Sequence, residues 1–172
     1  MKTADPQAGK DSWQVLVPAN EEGFLADFAL FDDFLAINQI EGGLSKVRFR
    51  NWQDPAFQDV DFGEPCYDAE LSINAESNTH QLRYTFSSLV TPDSTFAIDM
   101  TNRETKLLKQ DKVLGGYKQS DYLTERIWAI ADDGTKIPIS LIYHRTTKTD
   151  GSAPCLLYGY GSYGFSMPAS FV

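Results

Sequence analysis

The sequence predicts a mainly β protein built from short antiparallel strands and closing on a strand of the parallel-sheet type. Three observations predict it. Runs rich in aromatic and branched residues recur at short intervals, the breaks between them carry Gly, Asp, Asn and Pro, and no long amphipathic helical period occurs. Length sets the scale: 172 residues with 42% hydrophobic content suffice for one ordinary domain or for pieces of two.

The elements follow in order. Residues 13–18 (WQVLVP), 24–31 (FLADFALF), 34–40 (FLAINQI) and 44–52 (LSKVRFRNW) read as a first set of strands. Asp32-Asp33 separates the second from the third, and Glu41-Gly42-Gly43 the third from the fourth, where two glycines supply the positive φ that a tight hairpin demands. A second set covers residues 69–74 (AELSIN), 81–89 (QLRYTFSSL), 94–100 (STFAIDM) and 104–110 (ETKLLKQ), punctuated by Asn78, Pro92-Asp93 and Thr101-Asn102. The two sets hardly resemble each other, but their spacing is about the repeat length of a four-stranded propeller blade.

The pattern changes after residues 113–117 (VLGGY), where Gly115-Gly116 reads as a linker. Residues 126–131 (RIWAIA), the turn Asp132-Asp133-Gly134 and residues 136–144 (KIPISLIYH) form a hairpin. Pro138 cannot donate to a ladder, which places its strand at an edge or a bulge. Residues 155–158 (CLLY), bounded by Pro154 and Gly159, fit a strand buried on both faces of a parallel sheet.

Composition excludes several classes. The net charge of −9 is spread along the chain and Lys and Arg are scattered, so basic ligands are expected and nucleic acid is not. The two cysteines, Cys66 and Cys155, lie far apart, and Cys155 in its apolar run is read as a buried, reduced thiol; a cytoplasmic location follows as the expectation. No secretory h-region and no apolar segment long enough for a bilayer is seen, so no membrane association is expected. No Cys/His cluster has metal-ligand spacing, and neither metal nor cofactor is expected. Asp132 and Asp133 are neighbours on a turn and point apart, which argues against paired-acid catalysis.

Residues 156–164 (LLYGYGSYG) carry the chemistry. Residues 159–164 match G-x-G-x-x-G, but Pro168 stands where a phosphate-binding helix would run, and such a pattern alone is common by chance. Taken by itself the stretch reads as a glycine-rich turn bearing two tyrosines.

Residues 12–18 (SWQVLVP), 83–100 (RYTFSSLVTPDSTFAIDM), 125–145 (ERIWAIADDGTKIPISLIYHR) and 156–164 resemble, in order and spacing, consecutive segments of the prolyl oligopeptidase family of serine peptidases, closest to its oligopeptidase B (protease II) branch. The resemblance implies a β-propeller capping an α/β-hydrolase peptidase domain. Residues 1–114 would be the C-terminal blades and residues 115–172 the incomplete N-terminal part of the α/β-hydrolase domain. It implies hydrolysis of short, basic peptides after Arg or Lys through an acyl-enzyme.

By the same resemblance Tyr160 is the oxyanion-hole donor and Tyr163 a wall of the pocket for the substrate residue before the scissile bond. A neutral phenol suits the first role, because it meets charge developing on a carbonyl oxygen without first losing its proton. Gly159 and Gly161 are expected to let the backbone turn sharply and leave space for substrate. The nucleophile elbow G-x-S-x-G is absent: Ser162 has Tyr160 where the first glycine belongs. In this fold Ser, acid and His all follow the oxyanion loop, so the chain alone is expected to be inactive, and His80 and His144 are read as solvated or structural. A piece of this kind is expected to self-associate through exposed strand edges. The competing reading is a non-catalytic β-rich binding module.

Overall fold

In the computed structural model, which describes residues 3–5, 7–20 and 23–172, strands pair only with their neighbours in sequence. The first sheet is the meander β1 (Gly23–Leu30), β2 (Phe34–Glu41), β3 (Leu44–Asn51) and β4 (Gln58–Asp59). The second is β5 (Tyr67–Leu71), β6 (Gln81–Ser88), β7 (Ser94–Asp99) and β8 (Thr105–Gln110), and a separate hairpin joins β9 (Tyr122–Ile130) to β10 (Lys136–His144). Every ladder is antiparallel.

Local chemistry sets the turns. Gly42 and Gly43 join β2 to β3 with φ of 57° and 73°, the paired positive values of a hairpin turn matched to strand twist. In the β9–β10 turn Gly134 has φ 87°, and the Asp133 carboxylate accepts from the Thr135 amide at 2.9 Å. Pro138 sits opposite Trp128 on β10, whose only partner among the described residues is β9, in agreement with an edge position.

The two meanders share one core. On β6 the alternation of exposed Gln81, Arg83 and Thr85 with buried Leu82, Tyr84 and Phe86 aims an apolar face at Phe34, Ala36, Val47 and Phe49 of the first sheet. Ala36 and Ala69, 0% and 1% exposed, let the sheets approach closely. Asn38 donates to the Ala69 carbonyl at 2.9 Å and Ser45 donates to the same oxygen, so the buried polar atoms at this junction are satisfied.

The two outer faces differ. Beyond β6 the second sheet presents Asp68, Glu70, Arg83, Thr85 and Lys109, a polar surface. The outer face of the first carries Phe28 and Leu30, each more than half exposed, beside Ile37 and Leu35.

Several expectations need correction. Residues 13–18 form no strand: Trp13 and Val15 are exposed, and no neighbouring strand pairs with them among the described residues. The fourth strand of the first sheet is β4, too short and polar to show a period, held by Arg48 Nε donating to Asp59 Oδ1 at 2.8 Å. The strand expected at 69–74 runs from Tyr67 to Leu71, because the Asn74 side chain takes over the backbone of Arg83, accepting from its N–H at 2.8 Å and donating to its carbonyl at 3.0 Å. Residues 155–158 form no strand either. Leu156 and Leu157 are 90% and 84% exposed, and Cys155 is exposed rather than buried, because no parallel neighbour lies on either side among the described residues.

Glu41, at the end of β2, provides a test of the surface charge network. Lys46 Nζ lies 2.5 Å and Arg48 Nη2 2.9 Å from its Oε2. The hydrogen bond from Lys46, aided by Arg48 and opposed by desolvation, holds the carboxyl below its ordinary value. A depressed folded-state value means stability that is present above the unfolded value, about 4.3, and lost as pH falls through the folded one. Glu41→Gln should therefore lower the urea midpoint at pH 7 and match the wild type in strong acid. A midpoint difference independent of pH would remove the carboxylate as its cause.

Candidate functional site

The residues singled out from the sequence lie on a strap that leaves β10 and returns to β6. At its start the Arg145 amide donates to the Asp121 carbonyl at 2.8 Å, and Arg145 Nε donates to the Ser120 carbonyl at 3.0 Å. At its end Ala169 is buried, the Phe171 amide donates to Ser87 Oγ at 3.0 Å, and the Phe171 ring meets Tyr117 edge-on at 5.2 Å. Tyr117 is itself tied to the blades by its hydroxyl, which donates to the Val90 carbonyl at 2.5 Å.

Between these anchors stands a tight turn. The Phe165 amide donates to the Ser162 carbonyl at 3.1 Å, and the residues between them, Tyr163 and Gly164, have φ of 57° and 71°. Gly159 and Gly161 are not in the left-handed region and have open space around them, so the sharp turn expected of them is made by Tyr163 and Gly164 instead. An aromatic residue at positive φ is uncommon and carries local strain.

Tyr160 is half exposed, its ring edge-on to Phe165 at 5.8 Å, and its hydroxyl makes no hydrogen bond among the described residues. Tyr163 is fully exposed at the tip. What these residues offer chemically is one uncommitted phenol donor flanked by two side-chain-free positions, with a second phenol a turn away.

The other candidates are engaged elsewhere. His80 Nε2 lies 3.1 Å from Asp33 Oδ2 and its ring packs edge-on to Phe34 at 5.7 Å, at the end of the blades. His144 Nδ1 is 2.8 Å from Thr146 Oγ1 and its ring meets Tyr122 at 5.5 Å. Neither contacts Ser162. No group of three or more His, Cys, Asp or Glu able to hold a metal ion occurs among the described residues.

Beside the strap's end, a cleft of about 370 Å³ opens on the polar face of the second sheet. Asp68, Glu70, Asp93 and Asp111 line it, with Lys109 as the counter-charge and Phe171 at its margin. Burial, and then the charge of Glu70, push the Asp68 carboxyl above its ordinary value. Sequence reading missed this convergence, because the four acids come from three separate strand ends. It also missed Cys66 and Arg126, which meet where β9 crosses the blades; an arginine inside the otherwise apolar run RIWAIA was the available signal.

Residues 1–111 match the family model described as "Prolyl oligopeptidase, N-terminal beta-propeller domain", the match ending one residue past β8. The chain belongs to the prolyl oligopeptidase family. Its two four-stranded meanders are propeller-like sheets of that family's N-terminal domain. Dipeptidyl aminopeptidase BI of Pseudoxanthomonas mexicana is 40% identical over 97% of this chain and 23% of that protein. Protease 2 of Moraxella lacunata is 32% identical over 91% of the chain and 22% of its own length. The solved structure of oligopeptidase B from Trypanosoma brucei with covalently bound antipain superposes with a TM-score of 0.81 at 32% identity, over 95% of this chain and 24% of that one. The chain thus spans about a quarter of the length of these prolyl oligopeptidase relatives.

Proposed function

We propose that this chain is part of a serine oligopeptidase that cleaves short peptides after Arg or Lys through an acyl-enzyme. Residues 1–114 are propeller blades that help filter substrates by size, and residues 115–172 open the α/β-hydrolase domain. Gly115 and Gly116, with φ of 93° and 81° just past the family match, support a boundary there. Tyr160 acts as the oxyanion-hole donor and Tyr163 borders the pocket for the residue before the scissile bond. The observation that carries the reading is the uncommitted hydroxyl of Tyr160 between two open glycine positions, in a chain of a peptidase family. The acidic cleft and the net charge of −9 support a preference for basic peptides. The half-exposed apolar face of β1 and its edge, which no other strand pairs among the described residues, support self-association of this chain.

The test compares this chain with the product of an extended reading frame, using a fluorogenic substrate with arginine before the scissile bond and a serine-reactive fluorophosphonate. Cleavage and labelling by the extended protein alone are the expected result. If the frame supplies no downstream Ser, acid and His and neither protein cleaves nor labels, the chain is a non-catalytic β-rich module.

A further inference from the structure

Cys66 is fully buried, yet it lies at the rim of the blades rather than within their shared core. Its thiol donates to the Glu125 carbonyl on β9 at 3.1 Å, so the hairpin is what covers it. Beside it the Arg126 guanidinium spans the joint. Nη2 donates to the Gly42 carbonyl in the β2–β3 turn at 2.5 Å, Nη1 donates to Ser140 Oγ on β10 at 2.9 Å, and the group sits 5.8 Å from the Trp128 ring. The fit is close on both sides: a Cβ at Gly43 would stand 3.2 Å from Arg126 Nη2 and from Pro138, and one at Gly42 would stand 3.4 Å from Trp128.

We propose that Arg126 is the clamp of a hinged hairpin: it holds hairpin β9–β10 shut on the blade rim, and its release swings the hairpin away and uncovers Cys66. The base of the hairpin is secured separately, by Tyr117 on Val90 and by Gln119 Nε2 donating to Thr91 Oγ1 at 3.0 Å, so the hairpin can lift without leaving the blades. The partners of the cation explain why the clamp is poised rather than permanent. They are a carbonyl, a hydroxyl, a thiol and a ring, and no carboxylate forms an ion pair with it among the described residues. A partly buried cation without a counter-charge gives up much of its hydration when the joint closes and regains it on opening, which offsets part of what its contacts contribute. Desolvation accordingly pulls the guanidinium below its ordinary value, with Cys66 acting in the opposite sense.

The thiol is a built-in reporter, and the experiment does not depend on the peptidase reading. In a Cys155→Ser background, which removes the exposed cysteine, N-ethylmaleimide should alkylate Cys66 about tenfold or more faster in Arg126→Met than with arginine present, the scale expected when a charge-assisted hydrogen bond is lost. Arg126→Lys, which keeps the charge but cannot fork to both acceptors, should fall between. Amide exchange in β6 and β7 should be unchanged across the series, showing that the blades stay folded. An alkylation rate equal in all three proteins would overturn the proposal. So would a rise accompanied by lost protection in β6 and β7, since Arg126 would then support the fold as a whole rather than clamp one hairpin.

Discussion

Phe49→Ala should remove about 3–5 kcal/mol of stability, the range for deleting a fully buried phenyl ring. Phe49 is 0% exposed, packs edge-on against Phe34 at 6.4 Å, and belongs to the cluster in which both meanders bury their inner faces. The loss combines the transfer free energy of the ring with a cavity that neither sheet readily fills, because its ladders hold each sheet's backbone in place. Domains of ordinary stability have about 5–15 kcal/mol in total, so the variant should sit near its unfolding midpoint in mild urea. Urea titration followed by near-ultraviolet circular dichroism measures this, with the slope expected to stay constant. A loss below about 1 kcal/mol would mean that the site collapses freely and that the two sheets do not depend on one another.

Tyr160→Phe, made in the extended protein, should lower kcat by about 100- to 1000-fold while leaving KM nearly unchanged, the pattern of a donor that acts only in the transition state. The substitution is a narrow one. The phenyl ring that meets Phe165 is retained, the side chain is half exposed, and only the uncommitted hydroxyl is lost, so folding should be indifferent to it. Steady-state kinetics on an arginine substrate separates the outcomes: an unchanged kcat would take Tyr160 out of the reaction, and a raised KM at constant kcat would make it a ground-state binding residue instead.

Much of this fold was legible because its strands announce themselves twice, once through runs of aromatic and branched residues and once through turn chemistry. β2, β3, β6 and β7 combine both signals, and Gly42-Gly43 marks its hairpin unambiguously. What failed to show had no such redundancy. β4 is two polar residues defined by where Arg48 reaches, and the true end of β5 is decided by a side-chain bridge from Asn74 that competes with the ladder. Residues 13–18 and 155–158 have strand composition, yet the first reaches only an isolated bridge at Gln14 and the second pairs with no strand among the described residues; composition cannot supply a partner. At the candidate site the two tyrosines were found through family resemblance, whereas the positive φ of Tyr163 and the meeting of Cys66 with Arg126 come from tertiary packing, to which a linear pattern is blind.

Because every ladder joins strands adjacent in sequence, the chain has little long-range pairing to search for while it folds. Each meander can zip up hairpin by hairpin over short loops, each step on the scale of hairpin formation. The slow event is then the docking of one finished sheet on the other around Ala36 and Ala69. A ribosome releasing this chain would emit the first sheet complete before β5 had emerged, with Phe28 and Leu30 already on its outer face. The order of synthesis therefore leaves Ala36, Val47 and Phe49 without their covering sheet until β5 to β8 have followed.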